Sequence, residues 1–179
     1  MKNIIAFGAS NSETSINKMF ATHASNQLTG VTVKVLDLNH FELPLYSPRQ
    51  EAEHGIPENA VLFDQELVNA DGIVLSLAEH NGLHASVFKN LFDWMSRIDQ
   101  KVWKNKPMLL LATSPGGRGG QNVLRVTKDL LPHYGGNLIA DFSLPSFQKN
   151  FQENDIVDPE LKAGFEAQIK RFQEVLTNL

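Results

Sequence analysis

The chain of 179 residues contains no cysteine. Disulfides, thiolate nucleophiles, CxxC redox pairs and thiolate metal sites are excluded with it, so any redox chemistry has to be carried by a bound group. An excess of positive charge is also lacking. Lys and Arg number 16 against 20 Asp and Glu, a formal net charge of −4. With neither a basic balance nor a clustered basic stripe, a nucleic-acid partner is not expected, although a local site for a small anion is compatible with an acidic mean field. Long apolar runs are missing too. The N-terminal segment offers one Lys and then Ile4 to Phe7. That is too short for a signal peptide and far short of the ~20 residues of a membrane span. The expectation is a cytoplasmic protein that makes no membrane contact.

What is present is an ordinary globular composition, 42% hydrophobic and 20% charged, too apolar for disorder. The length suits one domain, residues 1–179. Apolar runs and helical patterns alternate along it. Ile4–Phe7, Val31–Leu36, Gly72–Ala78, Pro107–Ala112 and Leu138–Leu144 read as five strands. Helices are expected over Ser15–Leu28, Glu58–Asn69, Ser86–Ile98, Gln121–Tyr134 (interrupted by Pro132) and Pro159–Leu179. Ser15 is a suitable N-cap and Gly30 a suitable stop. Val61, Leu62, Gln65 and Val68 form the expected inner stripe of the second helix. Phe88, Leu91, Phe92 and Met95 form that of the third. Residues 38–57, with three prolines, read as a loop. The first, third and fourth strands are apolar without alternation, as in a parallel sheet covered on both faces. The pattern predicts a doubly wound α/β sandwich of five parallel strands, with ligands bound beyond the strands' carboxyl ends.

Three loops leave the sheet at that edge. The first, from Gly8 to Asn17, is dense in hydroxyls and amides (Ser10, Asn11, Ser12, Thr14, Ser15, Asn17) and runs into a helix N-terminus. Unpaired N–H groups and the positive end of the helix dipole suit a phosphate there without a Lys. The loop matches neither GxxxxGK[ST] nor GxGxxG. A plain capped turn remains the alternative. The second loop is Glu79-His80-Asn81-Gly82-Leu83-His84, with planar side chains fit for the edge of a ring, or else a simple Asn-Gly turn. His80 and His84 lack a third ligand and the glycine argues against a helix, so no metal is expected. The third, Ser114-Pro115-Gly116-Gly117-Arg118-Gly119-Gly120, has four glycines in five residues. Such a loop can approach a flat ligand closely and aim amides at negative charge.

These motifs resemble the NAD(P)H-dependent FMN reductases of flavodoxin-like fold, which include quinone, azo-dye and chromate reductases. Gly8-Ala-Ser10 followed by Ser15-Ile16-Asn17 is similar to the family's first loop. Glu79-His80-Asn81 followed by Lys89-Asn90, Asp93-Trp94 and Ser96-Arg97 resembles its second motif. Lys106-Pro107, Ser114 to Gly120 and Leu43-Pro44-Leu45-Tyr46 match further segments. The chain departs from the family in lacking an Arg in the first loop, in carrying His80 for a Tyr, and in lacking the Pro that opens the third helix.

The resemblance implies a flavodoxin-like sheet of order 2-1-3-4-5 that binds FMN and uses NADPH or NADH as co-substrate. It implies hydride transfer to the flavin and then to a small acceptor such as a quinone or azo compound. By the same resemblance, Ser10, Asn11, Ser12, Ser15, Ile16 and Asn17 would hold the phosphate. Glu79, His80, Asn81 and Gly82 would line the ribityl chain and ring. Ser114, Pro115, Gly116 and Gly117 would face the far edge, and Arg118 the pyrimidine edge or the nicotinamide phosphate. No side chain is needed as a catalytic acid or base. The rival readings are a flavodoxin-type electron carrier, in which Tyr46 and His80 would flank the ring, and a flavin-free binding module. Trp94 and Trp103 read as packing residues. The wide apolar girth of the helix Ser86–Ile98 predicts a homodimer, or a homotetramer built from dimers.

Overall fold

In the computed structural model, which describes residues 1–179, five strands form one parallel sheet. They are β1 (Lys2–Ala9), β2 (Val31–Leu36), β3 (Gly72–Leu77), β6 (Pro107–Thr113) and β7 (Asn137–Leu144), in the order β2-β1-β3-β6-β7. Every pairing is parallel. This is the order that the family resemblance implies, and every residue of β3 and β6 is buried, as their unbroken apolar runs predict. The chain reverses direction of winding between β1 and β3, so the loops leaving those two strands face each other across a crevice.

Helices cover both faces. On one side lie α1 (Ile16–Asn26) and α7 (Pro159–Thr177), which bury Phe20, Ala24, Phe165, Ile169, Phe172 and Leu176. On the other lie α3 (Glu58–Asn69), α4 (Ser86–Ile98) and α5 (Gln121–Leu130). The α5 helix tightens into a 3-10 turn, Leu131–Tyr134, at the expected Pro132. At Ser15 the side chain accepts from the Lys18 N–H at 3.1 Å, so the predicted N-cap is in place.

Three expectations need correction. Residues 38–57 are not all loop: a 3-10 turn spans Leu38–His40, and α2 spans Pro48–His54, capped by Ser47. That helix buries no residue, so it has no apolar periodicity to read. Secondly, α3 is turned the other way. Its inner face is Ala60, Phe63, Asp64 and Leu67, while Val61, Leu62 and Val68 face solvent. Finally, the girth of α4 is absorbed within the chain. Trp94 is fully buried, and Phe92 packs edge-on against Tyr134, with ring centroids 4.8 Å apart. Beyond β7 come a short helix, α6 (Phe147–Asn150), and a small hairpin of β8 (Phe151–Gln152) and β9 (Asp155–Ile156).

Candidate functional site

The loops after β1, β3 and β6 converge on a cleft of about 300 Å³. Its wall is Ser10, Ser12, Thr14, Ser15, Ile16 and Asn17 from the first loop and Ala78, Glu79 and His80 from the second. Thr113, Ser114 and Pro115 come from the third, and Gln148 from α6. Nine of the residues proposed from sequence therefore share one cavity. Asn11, Asn81, Gly82, Gly116, Gly117 and Arg118 are not part of that wall. Ala78, Thr113 and Gln148 were not anticipated, and Thr14 was read only as one of the first loop's hydroxyls. Gln148 follows β7, the fifth strand to end on this edge, and the carboxyl-end rule alone would have pointed to that loop.

The turn into α1 is held by its own polar groups. Ser10 N–H donates to the Gly8 carbonyl at 2.8 Å, Ser12 N–H to Ser10 Oγ at 3.1 Å, and Ser15 N–H to the Ser12 carbonyl at 3.1 Å. The N–H groups of Ile16 and Asn17, in the first turn of α1, meet no acceptor in the chain. This close start of the helix requires Gly8, because a Cβ there would lie 2.4 Å from the Lys18 nitrogen. The Asn17 side chain is only 3% exposed and is fully engaged. Its Oδ1 accepts from Ser76 Oγ at 2.7 Å and from Thr113 N–H at 3.2 Å, and its Nδ2 donates to the Thr113 carbonyl at 3.2 Å. What Asn17 offers an anion is its backbone N–H; its side chain pins α1 to β3 and β6.

After β3 the chain forms a hairpin of β4 (Glu79–His80) and β5 (Leu83–His84). Asn81 and Gly82 both have positive φ, 52° and 83°, which is the type I′ turn that Asn-Gly favours. The Glu79 carboxylate turns toward α5 and accepts from Val123 N–H at 2.9 Å. It thereby caps a helix that has no side-chain cap of its own. Glu79 thus both lines the cleft and braces it against α5. The His80 side chain is exposed and makes no hydrogen bond in the chain, while its backbone pairs with Leu83 across the hairpin. Burial pushes the His84 imidazole below its ordinary value of 6.5, with Lys89 acting in the same direction.

The glycine loop is not a loose linker. Gly116 O accepts from Gly119 N–H and Ser146 N–H at 3.2 and 2.9 Å, and Ser114 O accepts from Phe147 N–H at 3.0 Å. Its glycines divide into two kinds. At Gly119 φ is +56° and a Cβ would stand 2.6 Å from Ser143 Oγ, so this position serves the fold. At Gly116 and Gly117 a Cβ would come no closer than 3.9 and 4.0 Å to anything, and the N–H groups of Gly116, Gly117 and Arg118 have no acceptor. Space and free donors are what an arriving ligand uses. Arg118 leans on Asn122 at 3.3 Å.

The segment Leu43–Tyr46 lies elsewhere, strapped to α4. Asn90 Oδ1 accepts from Tyr46 N–H at 2.8 Å, and Trp94 Nε1 donates to the Pro44 carbonyl at 2.8 Å. Tyr46 packs edge-on against Trp94, with centroids 5.0 Å apart. It is absent from the cleft wall, where the carrier reading would have it flank a ring; His80 is the one ring-bearing side chain with a delocalised face there. The packing roles expected of Trp94 and Trp103 are as observed.

Donors without acceptors at a helix start, hydroxyls around them and an open glycine edge fit a phosphate monoester joined to a flat ring. Fold and site together define a class, the flavodoxin-like α/β proteins with a mononucleotide cleft at the switch point. Within that class the chain belongs to the NADPH-dependent FMN reductase family, whose model matches residues 2–149. The family bears out FMN and NAD(P)H as the cofactor pair. A 2-hydroxy-1,4-benzoquinone reductase from Burkholderia sp is 41% identical over 78 residues, 43% of this chain and 42% of that protein. An NADPH:quinone oxidoreductase from Arabidopsis thaliana is 29% identical over 152 residues, 84% of this chain and 74% of that one. The match thus spans less than half the length of the Burkholderia relative. Among solved structures, the flavoenzyme NAD(P)H:(acceptor) oxidoreductase FerB from Paracoccus denitrificans superposes with a TM-score of 0.74 at 21% identity, covering 97% of this chain and 98% of that one. That likeness shows the fold. No helix here is long and apolar enough to cross a membrane.

Proposed function

We propose that residues 1–179 act as one unit that binds FMN in the cleft, takes reducing equivalents from NADPH or NADH, and delivers them to a small acceptor of quinone or azo type. The observation that carries this reading is the pair of unpartnered N–H groups on Ile16 and Asn17, which open beside Ser10, Ser12 and Thr14 onto the space shared with the second and third loops. Ser10, Asn11, Ser12, Ser15, Ile16 and Asn17 would hold the phosphate, Asn17 through its main chain. His80, Asn81 and Gly82 would border the ribityl chain and ring, with Glu79 holding them to α5. The free N–H groups of Gly116, Gly117 and Arg118, with Ser114 and Pro115, would face the pyrimidine edge and stabilise negative charge there. When bound, the flavin supplies the hydride chemistry, and the protein's part is to bind, orient and tune it. Arg118, tethered only to Asn122, is placed to meet a nicotinamide phosphate.

The acceptor class is supported by relatives named as quinone reductases and by an NADPH azoreductase from Bacillus sp. that is 33% identical over 108 residues. Purified protein loaded with FMN should lose its visible flavin absorbance on anaerobic addition of NADPH or NADH and regain it when a benzoquinone is added. A bound flavin that neither nucleotide bleaches overturns the reductase reading and favours a carrier. The cleft lacks the aromatic walls that support a carrier, since Tyr46, Trp94 and Trp103 all pack elsewhere.

The same reading includes a homodimer or dimer of dimers in the cytoplasm. The exposed stripe Val61, Leu62 and Val68 on α3 supports a contact with a second copy better than α4 does. Sedimentation at micromolar concentration should show a dimer that Leu62→Lys dissociates.

A further inference from the structure

We infer that His84, acting through Thr127, is a positioning residue that fixes the gap between the β4–β5 hairpin and the glycine loop, the gap in which the flavin ring is proposed to lie. The inference rests on the flavin reading above.

The hairpin belongs to a sheet of its own and pairs with no strand of the main one. Two strands of two residues each are not stable alone. Two side-chain bonds fasten it, and both end on α5. Glu79 Oε2 accepts from Val123 N–H at 2.9 Å, and His84 Nε2 lies 2.8 Å from Thr127 Oγ1, one helical turn further on. Thr127 donates its own proton to the Val123 carbonyl at 2.7 Å, so its oxygen is left to accept from His84. That fixes the imidazole as the Nε2–H tautomer. Glu79 and His84 are themselves cross-strand partners. The bonds therefore close a circuit: Glu79 to Val123, Val123 to Thr127, Thr127 to His84, and His84 back across the hairpin to Glu79. The helix that carries Val123 and Thr127 begins directly after Gly120, the last residue of the glycine loop. Both walls of the gap thus refer to one rigid element, and Thr127, itself buried, is the joint on which one wall turns.

The crevice behind His84 and Thr127, about 30 Å³ between Phe88, Trp103 and Leu131, is too small for a changed side chain to collapse into. Thr127→Val keeps the shape and removes the acceptor, whereas Thr127→Ser keeps the acceptor. FMN binding should be titrated by flavin fluorescence, the visible circular dichroism of the bound flavin recorded, and the His84 ring nitrogens followed by 15N NMR. We expect Thr127→Val to weaken FMN roughly tenfold, through faster release, to alter the visible dichroism and to turn the His84 ring into a mixture of tautomers. Thr127→Ser should restore all three. His84→Leu should reproduce the loss of affinity, and adding Thr127→Val to it should cost nothing more. Wild-type binding with unchanged affinity and dichroism in Thr127→Val and His84→Leu overturns the positioning role alone. Wild-type protein that takes up no FMN overturns the flavin reading and this role together.

Discussion

The two turns that face each other across the cleft are anchored in opposite ways. The turn into α1 is bolted from beneath, by a buried Asn17 that reaches partners 59 and 96 residues away in the sequence on β3 and β6. The β4–β5 hairpin is clipped from the side, by Glu79 and His84 to α5, with no strand of the main sheet beside it. Bonds into the middle of a sheet open only with the whole domain, whereas bonds at the margin can open locally. The comparison teaches a division of labour. On the proposed reading, the phosphate end of the cleft would be as fixed as the core, while the ring end would keep the freedom to admit and release substrates.

Asn17→Ala attacks the fixed side. It strands Ser76 Oγ and both main-chain groups of Thr113 in the interior, and should cost about 3 kcal/mol in urea unfolding and abolish FMN uptake. A loss under about 1 kcal/mol would show the bolt to be dispensable. A smaller effect is expected within the glycine loop, where two positions can be set against each other. Gly119→Ala drives a Cβ against Ser143 Oγ and the Leu144 backbone from a left-handed conformation, and should cost about 2 kcal/mol in stability. Gly117→Ala, with open space around it, should leave stability within about 0.5 kcal/mol but weaken FMN binding. If both variants unfold alike, the split between a structural and a ligand-facing half of the loop is wrong. Milder still is Glu79→Gln, which keeps an acceptor for Val123 N–H and removes its charge from the start of α5. A loss of about 0.5–1 kcal/mol should appear, with hydrogen exchange quickened in the hairpin and not in the α1 turn.

Much of this frame was legible in the residue order, for identifiable reasons. Strands such as Ile73–Leu77 and Met108–Ala112 are buried on both faces, so they stand out as apolar runs. Ser15, Pro132 and Asn81-Gly82 act on neighbours a few residues away, and local signals survive in a linear reading. The inner face of α3 was not legible because both of its stripes are apolar, and the contact of Phe63 with Phe7 and Phe41 that decides between them is long-range. The scaffold contacts of the Asn17 and Glu79 side chains were hidden for a related reason. A polar side chain in a site loop looks the same in sequence whether it points at a ligand or at the scaffold, and here the decisive partners lie 96 and 44 residues away. The α2 helix escaped because it buries nothing, although Ser47-Pro48 followed by Gln50 carries a readable start signal.

The smallest effect expected is in pH dependence, and it tests both sides at once. His23, in the last turn of α1, is held below 6.5 by burial, partly opposed by Asp155; its ring lies against Phe151 and Phe165. His84 in the hairpin is lowered by the same cause. For each, the folded chain binds protons less readily than the unfolded one. Their contribution is therefore complete above about 6.5 and is lost as pH falls through that value toward the folded pKa, by at most about 1.4 kcal/mol per pH unit for each ring. The carboxylates do not blur this window. Burial disfavours the Asp37 charge, but the bonds from Lys18 and Asn39 outweigh it, and Asp99 and Asp155 are held low by Lys104 and Lys162. Their contributions disappear only as pH falls below about 3.8. The urea midpoint should thus stay level from about pH 8 to 6.5 and then decline. His23→Gln should remove part of the decline from global unfolding. His84→Gln should remove it chiefly from local opening of the hairpin, read by hydrogen exchange. A decline that both variants leave untouched would mean that neither ring changes its proton affinity on folding, and the hairpin would lose its claim to be the independently yielding wall.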